Sequence, residues 1–300
     1  MATGRFAPSP TGPLHVGNLR TALLAWLFAR SAGSSFLLRV EDLDPRPDRA
    51  VHEADQLGDL RAIGLDWDGP VVRQSERRAW HDEVIAGLTA RGLTYPCFCT
   101  RREIREAAEA PHGQPPGSYP GTCRDLTAAQ RAEVEAEGRP AALRLRSDGS
   151  AVTIVDRLHG EVTAVVDDLV LRRNDGVPAY NLAVVVDDAD QQVEEVVRAD
   201  DLLSSTPRQA HLADLLGLAR PGWAHVPLVV GADGERLAKR HGAVTLTDLT
   251  GAGVSPAALV AQLAVGLGLA EPGEPVVPAD LVARFDPSAI PLDPWVYPPA

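Results

Sequence analysis

Between Arg5 and Arg30 the sequence reads RFAPSPTGPLHVGNLRTALLAWLFAR, and this stretch constrains the fold more than any other. Arg5, Phe6 and Ala7 make a short strand end, Pro8, Pro10, Gly12 and Pro13 impose a turn, and apolar residues then recur at helical spacing from Leu19 to Phe28. The product is a strand-turn-helix unit. His15 and Gly17 stand where the helix begins, so an imidazole, unpaired backbone N–H groups and the positive end of the helix dipole converge on one point. Such a point attracts phosphate. The competing explanation is a rigid surface turn with a capping histidine.

Three hundred residues suit one large or two modest domains, and 45% hydrophobic with 23% charged residues is ordinary for a soluble globular chain. No basic leader opens the chain and no run of 18 apolar residues crosses it, so a cytoplasmic protein is expected. The net charge of −12 speaks against a general nucleic-acid binder, which needs clustered Lys and Arg for phosphate backbones. Any RNA contact must be local, with Arg73, Arg77, Arg78, Arg101, Arg102, Arg105, Arg172 and Arg173 as patches or as solvated helix faces. Of the 29 basic residues, only Lys239 is a lysine, a compact ammonium kept where arginine serves everywhere else.

Further along, Ser35 to Asp42 (SFLLRVED) reads as a buried strand that delivers Glu41 and Asp42 at its C-terminal end, where ligands of open parallel sheets sit. A carboxylate there pairs with a substrate ammonium or caps the turn at Asp44-Pro45. Arg49 to Gly64 and Ser75 to Gly92 read as amphipathic helices, the second with Ser75 as its N-cap. Together these segments make the first half of a doubly wound nucleotide-binding sheet. Helices follow over Arg101–Ala110 and Asp125–Gly138, and short strands over Ala142–Arg146, Val152–Val155, Glu161–Val166 and Leu169–Arg173. Tyr180 and Asn181 open another helix, and Arg198 ends another strand, where its guanidinium fork either holds a carboxylate or pairs with Asp200 or Asp201. Trp223 to Val230 is the last clear strand, followed by a Gly-rich charged loop over Gly231–Ala243, two helices between Ser255 and Phe285, and a Pro-rich tail.

Cys97, Cys99 and Cys123 cluster around a Pro/Gly loop. In an intracellular chain such a cluster points to metal rather than to disulfides. Tetrahedral zinc takes four ligands, and the fourth is His112, Tyr119 or water, with His112 favoured by general coordination chemistry.

The run RFAPSPTGPLHVGN resembles the first signature of class I glutamyl-tRNA synthetases and their relatives, with His15, Val16, Gly17 and Asn18 as the HIGH element. Leu65-Asp66-Trp67-Asp68 is similar to the family's LDWDE-like turn, and Arg236-Leu237-Ala238-Lys239-Arg240 resembles the KMSKS signature with Arg for the first Lys, Leu for Met and Ala for Ser. The resemblance implies a Rossmann-type, doubly wound parallel α/β sheet with an inserted zinc-binding α+β subdomain and a small helical C-terminal part. The corresponding segments are 1–94 and 179–245 for the two halves of the sheet, 95–178 for the insertion and 246–300 for the helical part. It also implies activation of L-glutamate by ATP with magnesium, His15 and Lys239 being catalytic. The glutamate pocket would then be Arg5, Phe6, Ala7, Pro8, Ser9, Glu41, Tyr180 and Arg198, and ATP would meet His15, Gly17, Asn18, Arg236, Leu237, Lys239 and Arg240. The spacing Cys-x-Cys then Tyr-x3-Cys resembles the site of the family's short paralogues, in which Tyr119 would be the fourth ligand of one structural zinc. No anticodon-binding region is expected after residue 300, so the chain resembles those short paralogues, monomers by expectation, that place glutamate on queuosine in the anticodon stem-loop of tRNA(Asp). A minimal enzyme charging a tRNA 3′ end and a silent tRNA- or glutamate-binding paralogue are the alternatives.

Overall fold

The computed structural model describes residues 3–108, 119–237 and 244–297. In chain order, β1 (Gly4–Phe6) leads into α1 (Val16–Ser31), then β2 (Phe36–Val40), α2 (Arg49–Ala62), β3 (Val72–Arg73) and α3 (Arg78–Ala90). Next come β4 (Thr94–Cys97), α4 (Arg101–Ala108), α5 (Ala128–Ala136), β5 (Ala142–Leu145), β6 (Ala151–Asp156), β7 (Gly160–Val165) and β8 (Val170–Arg172). The chain returns through α6 (Tyr180–Asp190), β9 (Glu195–Ala199), α7 (Thr206–Leu216), β10 (Gly222–Val226) and β11 (Val229–Val230). It continues through α8 (Leu246–Gly251), α9 (Pro256–Gly266), α10 (Pro278–Val282) and β12 (Trp295–Val296).

The principal sheet has the strand order β3-β2-β1-β9-β10-β6-β7. Its pairings are parallel except for the β6–β7 hairpin. From β1 the chain winds outward through β2 and β3, and from β9 it winds the other way through β10. The order therefore reverses between β1 and β9, and such a reversal opens a crevice beyond the C-terminal strand ends.

Alternation along the central strands sorts side chains onto two faces. Val197, Ala224 and Val226 join α1 and the C-terminal helices in one apolar cluster, while Val196 and Trp223 join residues of α3, α6 and α7 in the other. Helix α1 is buried on nearly every side, with Leu19, Leu23, Leu24 and Leu27 fully covered. This follows from its sequence, since a helix apolar all round must be enclosed.

Several expectations are corrected. The strands placed in the insertion divide between two sheets: β4, β5 and β8 form a separate antiparallel sheet, whereas β6 and β7 extend the principal one. Trp223 of β10 pairs beside Asp156, which fixes that attachment. Ser75 does not cap a helix. Its N–H and hydroxyl both go to Asp42, at 2.7 and 2.6 Å, and a 3-10 turn over Gln74–Arg77 precedes α3. Pro227 lacks an N–H and breaks the expected strand at 223–230 into β10 and β11. The Pro-rich tail, for which no element was expected, adds a short strand in which Trp295 and Val296 pair with Val229 and Val230.

Candidate active site

The turn after β1 is pinned at three carbonyls. Pro8 accepts the N–H of Glu41 at 2.9 Å, and Gln56 of α2 donates to Ser9 and Gly12 at 3.0 and 2.7 Å. His15 then caps α1: its Nδ1 accepts the N–H of Asn18 at 3.3 Å, and the Asn18 side-chain oxygen accepts the N–H of His15 at 3.1 Å. An acceptor carries no proton, so the neutral ring holds its hydrogen on Nε2. Burial, reinforced by the nearby Arg236 guanidinium, lowers the His15 pKa below its ordinary value. The imidazole is thus a neutral donor rather than a cation. Gly17 makes room for it, because a Cβ there would stand 3.0 Å from ring atoms Cε1 and Nδ1.

At the crevice between β1 and β9 lies a cavity of about 570 Å³. Its lining includes His15 and Asn18, the polar side chains of Arg5, Glu41, Tyr180 and Arg198, the turn residues Phe6, Ala7, Pro8 and Ser9, and Arg236. Gly17 lies beneath the His15 ring, and Leu237 is buried in the core with its N–H on the Val229 carbonyl at 3.2 Å. Lys239, Arg240, Ala238 and His112 lie outside the described residues. On one side of 238–243, Val244 accepts the N–H of Val16 at 2.8 Å and Thr245 bridges to His15; on the other, Arg236 lines the same cavity as His15.

The charges in the pocket are interlocked. Asp188 accepts from Arg5 Nε at 3.2 Å and from Arg39 Nη1 at 2.7 Å, and Arg39 reaches Glu41 at 3.4 Å. Arg39 is fully buried and stays charged because Asp188, Glu41 and Asp187 outweigh its desolvation. Burial pushes the Glu41 carboxyl above its usual range against the opposing pull of Arg39 and Arg5. A cationic group arriving in the cavity would complete that carboxylate's shell.

Arg198 has no such partner. Its Nη1 donates to the Tyr180 hydroxyl at 3.2 Å, its Nη2 to Thr206 Oγ1 at 2.9 Å and its Nε to His225 Nε2 at 3.0 Å. Among the described residues no carboxylate pairs with it, and Asp201, one alternative partner, is taken by Arg236 at 2.7 Å. A guanidinium only 6% exposed, bordering the cavity with no carboxylate bonded to it, is a seat for an anion.

Sequence reading missed Asp188, Arg39, Gln56, Asp156 and His225. A signal existed for some of them. Arg39 interrupts the apolar run of β2 and His225 that of β10, and a polar residue at a buried strand position requires a partner.

The cysteines form a second site. The Sγ atoms of Cys97, Cys99 and Cys123 lie within 4.8 Å of one another, and Cys99 and Cys123 are 3.5 Å apart. The Tyr119 oxygen enters the same space, 3.3 Å from Cys97 Sγ and 3.7 Å from Cys99 Sγ, while accepting the Cys123 N–H at 2.8 Å. Tetrahedral thiolates on zinc sit about 3.8 Å apart, so the donor set and its spacing suit that ion. Burial opposes ionising Cys97, yet Tyr119 and Arg144 outweigh it and lower the thiol's pKa, whereas Cys99 is pushed up to about 12 by burial and by Cys97.

Residues 1–277 match the family model for tRNA synthetases class I (E and Q), catalytic domain. The chain is 63% identical to the glutamyl-Q tRNA(Asp) synthetase of Nocardia farcinica, over 98% of this chain and 92% of that one. It is 52% identical to the enzyme of that name from Cutibacterium acnes, over 96% and 82%. A crystal structure of a glutamate tRNA ligase from Elizabethkingia meningosepticum, in complex with its amino acid, superposes with a TM-score of 0.83 at 28% identity, covering 99% of this chain and 67% of that one. No helix among the described residues is long and apolar enough to cross a membrane. With its reversed parallel sheet and its histidine-capped first helix, the chain belongs to the class I tRNA synthetase (E and Q) catalytic-domain family, among the glutamyl-Q tRNA(Asp) synthetases.

Proposed function

We propose that this protein activates L-glutamate with ATP in the cytoplasm, without tRNA, and transfers the glutamate to the queuosine base in the anticodon of tRNA(Asp). The observation that carries the reading is the pairing of opposite needs in one cavity: a buried Glu41 lacking a full cationic shell and a buried Arg198 lacking an anion, both facing the capped start of α1. An amino acid with an ammonium and a side-chain carboxylate satisfies both at once. Glu41 takes the ammonium, and Arg198 with Tyr180 takes the side-chain carboxylate.

The α-carboxylate then attacks the α-phosphorus of ATP in line, the bond to the bridging oxygen breaks, and pyrophosphate leaves. Such a reaction asks for positioning and charge stabilisation more than covalent work. His15 Nε2–H, the positive end of the α1 dipole, Arg236 and Lys239 are the groups assigned to the phosphates. Magnesium, when bound with ATP, neutralises phosphate charge. A hydroxyl of the queuosine base next attacks the glutamyl carbonyl, and AMP departs.

The small antiparallel sheet with its cysteine site is assigned to meeting the tRNA. Cys97, Cys99, Tyr119 and Cys123 would hold one zinc, which ties β4 to the segment around Tyr119–Cys123 without taking part in the reaction. One chain carries every group named here, consistent with a monomer.

Glutamate-dependent exchange of pyrophosphate into ATP, measured without tRNA, tests the first step. Labelled glutamate offered with queuosine-bearing tRNA(Asp) or with tRNA(Glu) tests the second. Exchange without glutamate dependence, or label on the 3′ end of tRNA(Glu), would overturn the reading.

A further inference from the structure

Behind Arg198 lies a polar chain that no part of the reaction above uses. Asp156 ends β6, His225 sits in β10 and Arg198 in β9, so the three come from adjacent strands of the principal sheet. Asp156 and His225 are both inaccessible to solvent, and their side chains meet at 2.6 Å between Oδ2 and Nδ1. On the far side of the ring, His225 Nε2 receives Arg198 Nε at 3.0 Å.

Arginine has no acceptor, so His225 Nε2 must be bare and the ring proton must sit on Nδ1, facing Asp156. Asp156 is itself fixed. Its Oδ1 accepts the N–H groups of Leu158 and His159 at 2.9 and 3.1 Å, and its Oδ2 also accepts the His225 N–H at 3.1 Å. Burial lowers the His225 pKa below its ordinary value despite the pull of Asp156, which keeps the imidazole neutral at neutral pH. Thr206 Oγ1 also lies 3.1 Å from His225 Nε2 and accepts from Arg198 Nη2 at 2.9 Å, so the fork is held at the ring, at Thr206 and at the Tyr180 hydroxyl.

We infer that Asp156 and His225 are positioning residues: they set the tautomer that aims the Arg198 fork into the cavity, and so determine preference for a substrate bearing a side-chain carboxylate over its amide. The inference rests on the glutamate reading above and deepens it. It also gives a purpose to the unexpected placement of β6 and β7, which is what brings Asp156 beside β10.

Asp156→Asn tests the tautomer. The amide oxygen still serves the hairpin N–H groups and lies 3.4 Å from the His225 N–H, which loses its shorter bond to Oδ2, while the NH2 faces His225 Nδ1 and drives the ring proton to Nε2, where it opposes the Arg198 N–H; the same tautomer logic governs aspartate-histidine pairs in hydrolases. His225→Leu removes the acceptor, and His225→Gln restores one near the Nε2 position. In glutamate-dependent exchange, Asp156→Asn and His225→Leu should raise the glutamate KM roughly 10- to 100-fold, the worth of one hydrogen bond to a charged group, with a much smaller change for ATP. His225→Gln should recover most of the loss, and selectivity for glutamate over glutamine should narrow in the first two variants.

A glutamate KM for Asp156→Asn within about twofold of the unmodified chain would overturn the inference, because the tautomer would then not matter. Equal losses toward both substrates, with His225→Gln no better than His225→Leu, would overturn it by showing a purely structural role. An unmodified chain without exchange would remove the function itself, and so is told apart from either result.

Discussion

His15 and Asn18 hold each other reciprocally at the start of α1, each side chain accepting the other's backbone N–H. The catalytic assignment of the histidine and the stability of the helix therefore share one imidazole, Nδ1 serving the cap and Nε2 the phosphates.

Protonating Nδ1 destroys the cap. The folded-state pKa of His15 lies below the unfolded value near 6.5, so the folded chain binds fewer protons. The cap's contribution, about 1 kcal/mol, is fully present above pH 6.5 and is lost as pH falls through the lowered folded pKa. His15→Asn retains an acceptor that does not titrate in this range. The melting temperature of the unmodified chain should exceed or match that of the variant at pH 7.5 and lose ground to it toward pH 5. The same variant lacks the Nε2 donor, and its exchange rate should fall about 10²- to 10³-fold while glutamate binding persists.

Gly17→Ala should slow activation about tenfold or more while leaving the melting temperature unchanged or raised. Its methyl group would push the His15 ring by a few tenths of an ångström, and misplacement of a group this close to the reaction is costly, whereas alanine favours the helix. Paired kinetics and melting curves check this. A normal rate would show that the ring's position tolerates the shift.

Glu41→Gln removes the charge assigned to the substrate ammonium. Its glutamate KM should rise roughly 10- to 100-fold with little change for ATP. Because burial raises the Glu41 pKa, the unmodified chain should begin to lose glutamate affinity on acidification at a pH above the ordinary glutamate value near 4.3. Titrating KM against pH for both proteins measures this, and the variant should lack that limb.

Asp188→Asn should be severe for the fold. It leaves Arg5 and Arg39, both buried, without their shared counter-charge, a change that commonly costs about 3–5 kcal/mol. Urea unfolding should show it as a lowered midpoint with the slope preserved.

Cys123→Ser should lose bound zinc. Metal analysis of the unmodified chain should return one zinc per polypeptide, and the variant should release it and expose the segment around β4 to protease. Absence of zinc from the unmodified chain would remove the assignment.

What was legible in the sequence was local. The Pro/Gly turn, the apolar stripe of α1, the strand ending at Glu41 and the helix opening at Tyr180 each carry their own pattern. The cysteine spacing likewise announced itself. The long-range partners were not visible: Asp188 lies 183 residues from Arg5, and His225 lies 69 from Asp156, distances over which periodicity carries no information. Pairing of β6 with β10 hid for the same reason, since an alternating hairpin fits either sheet until its partner is known. The tail strand was missed because two residues framed by prolines give no periodic signal.

Trp295 and Val296 form a ladder with Val229 and Val230, and the latter pair runs directly into Gly231 and on to Arg236. Residues 295 and 296 are thus tied, through neighbouring strands, to the segment that carries Arg236 into the cavity lining, so a change at one reaches the other through the backbone ladder rather than through space.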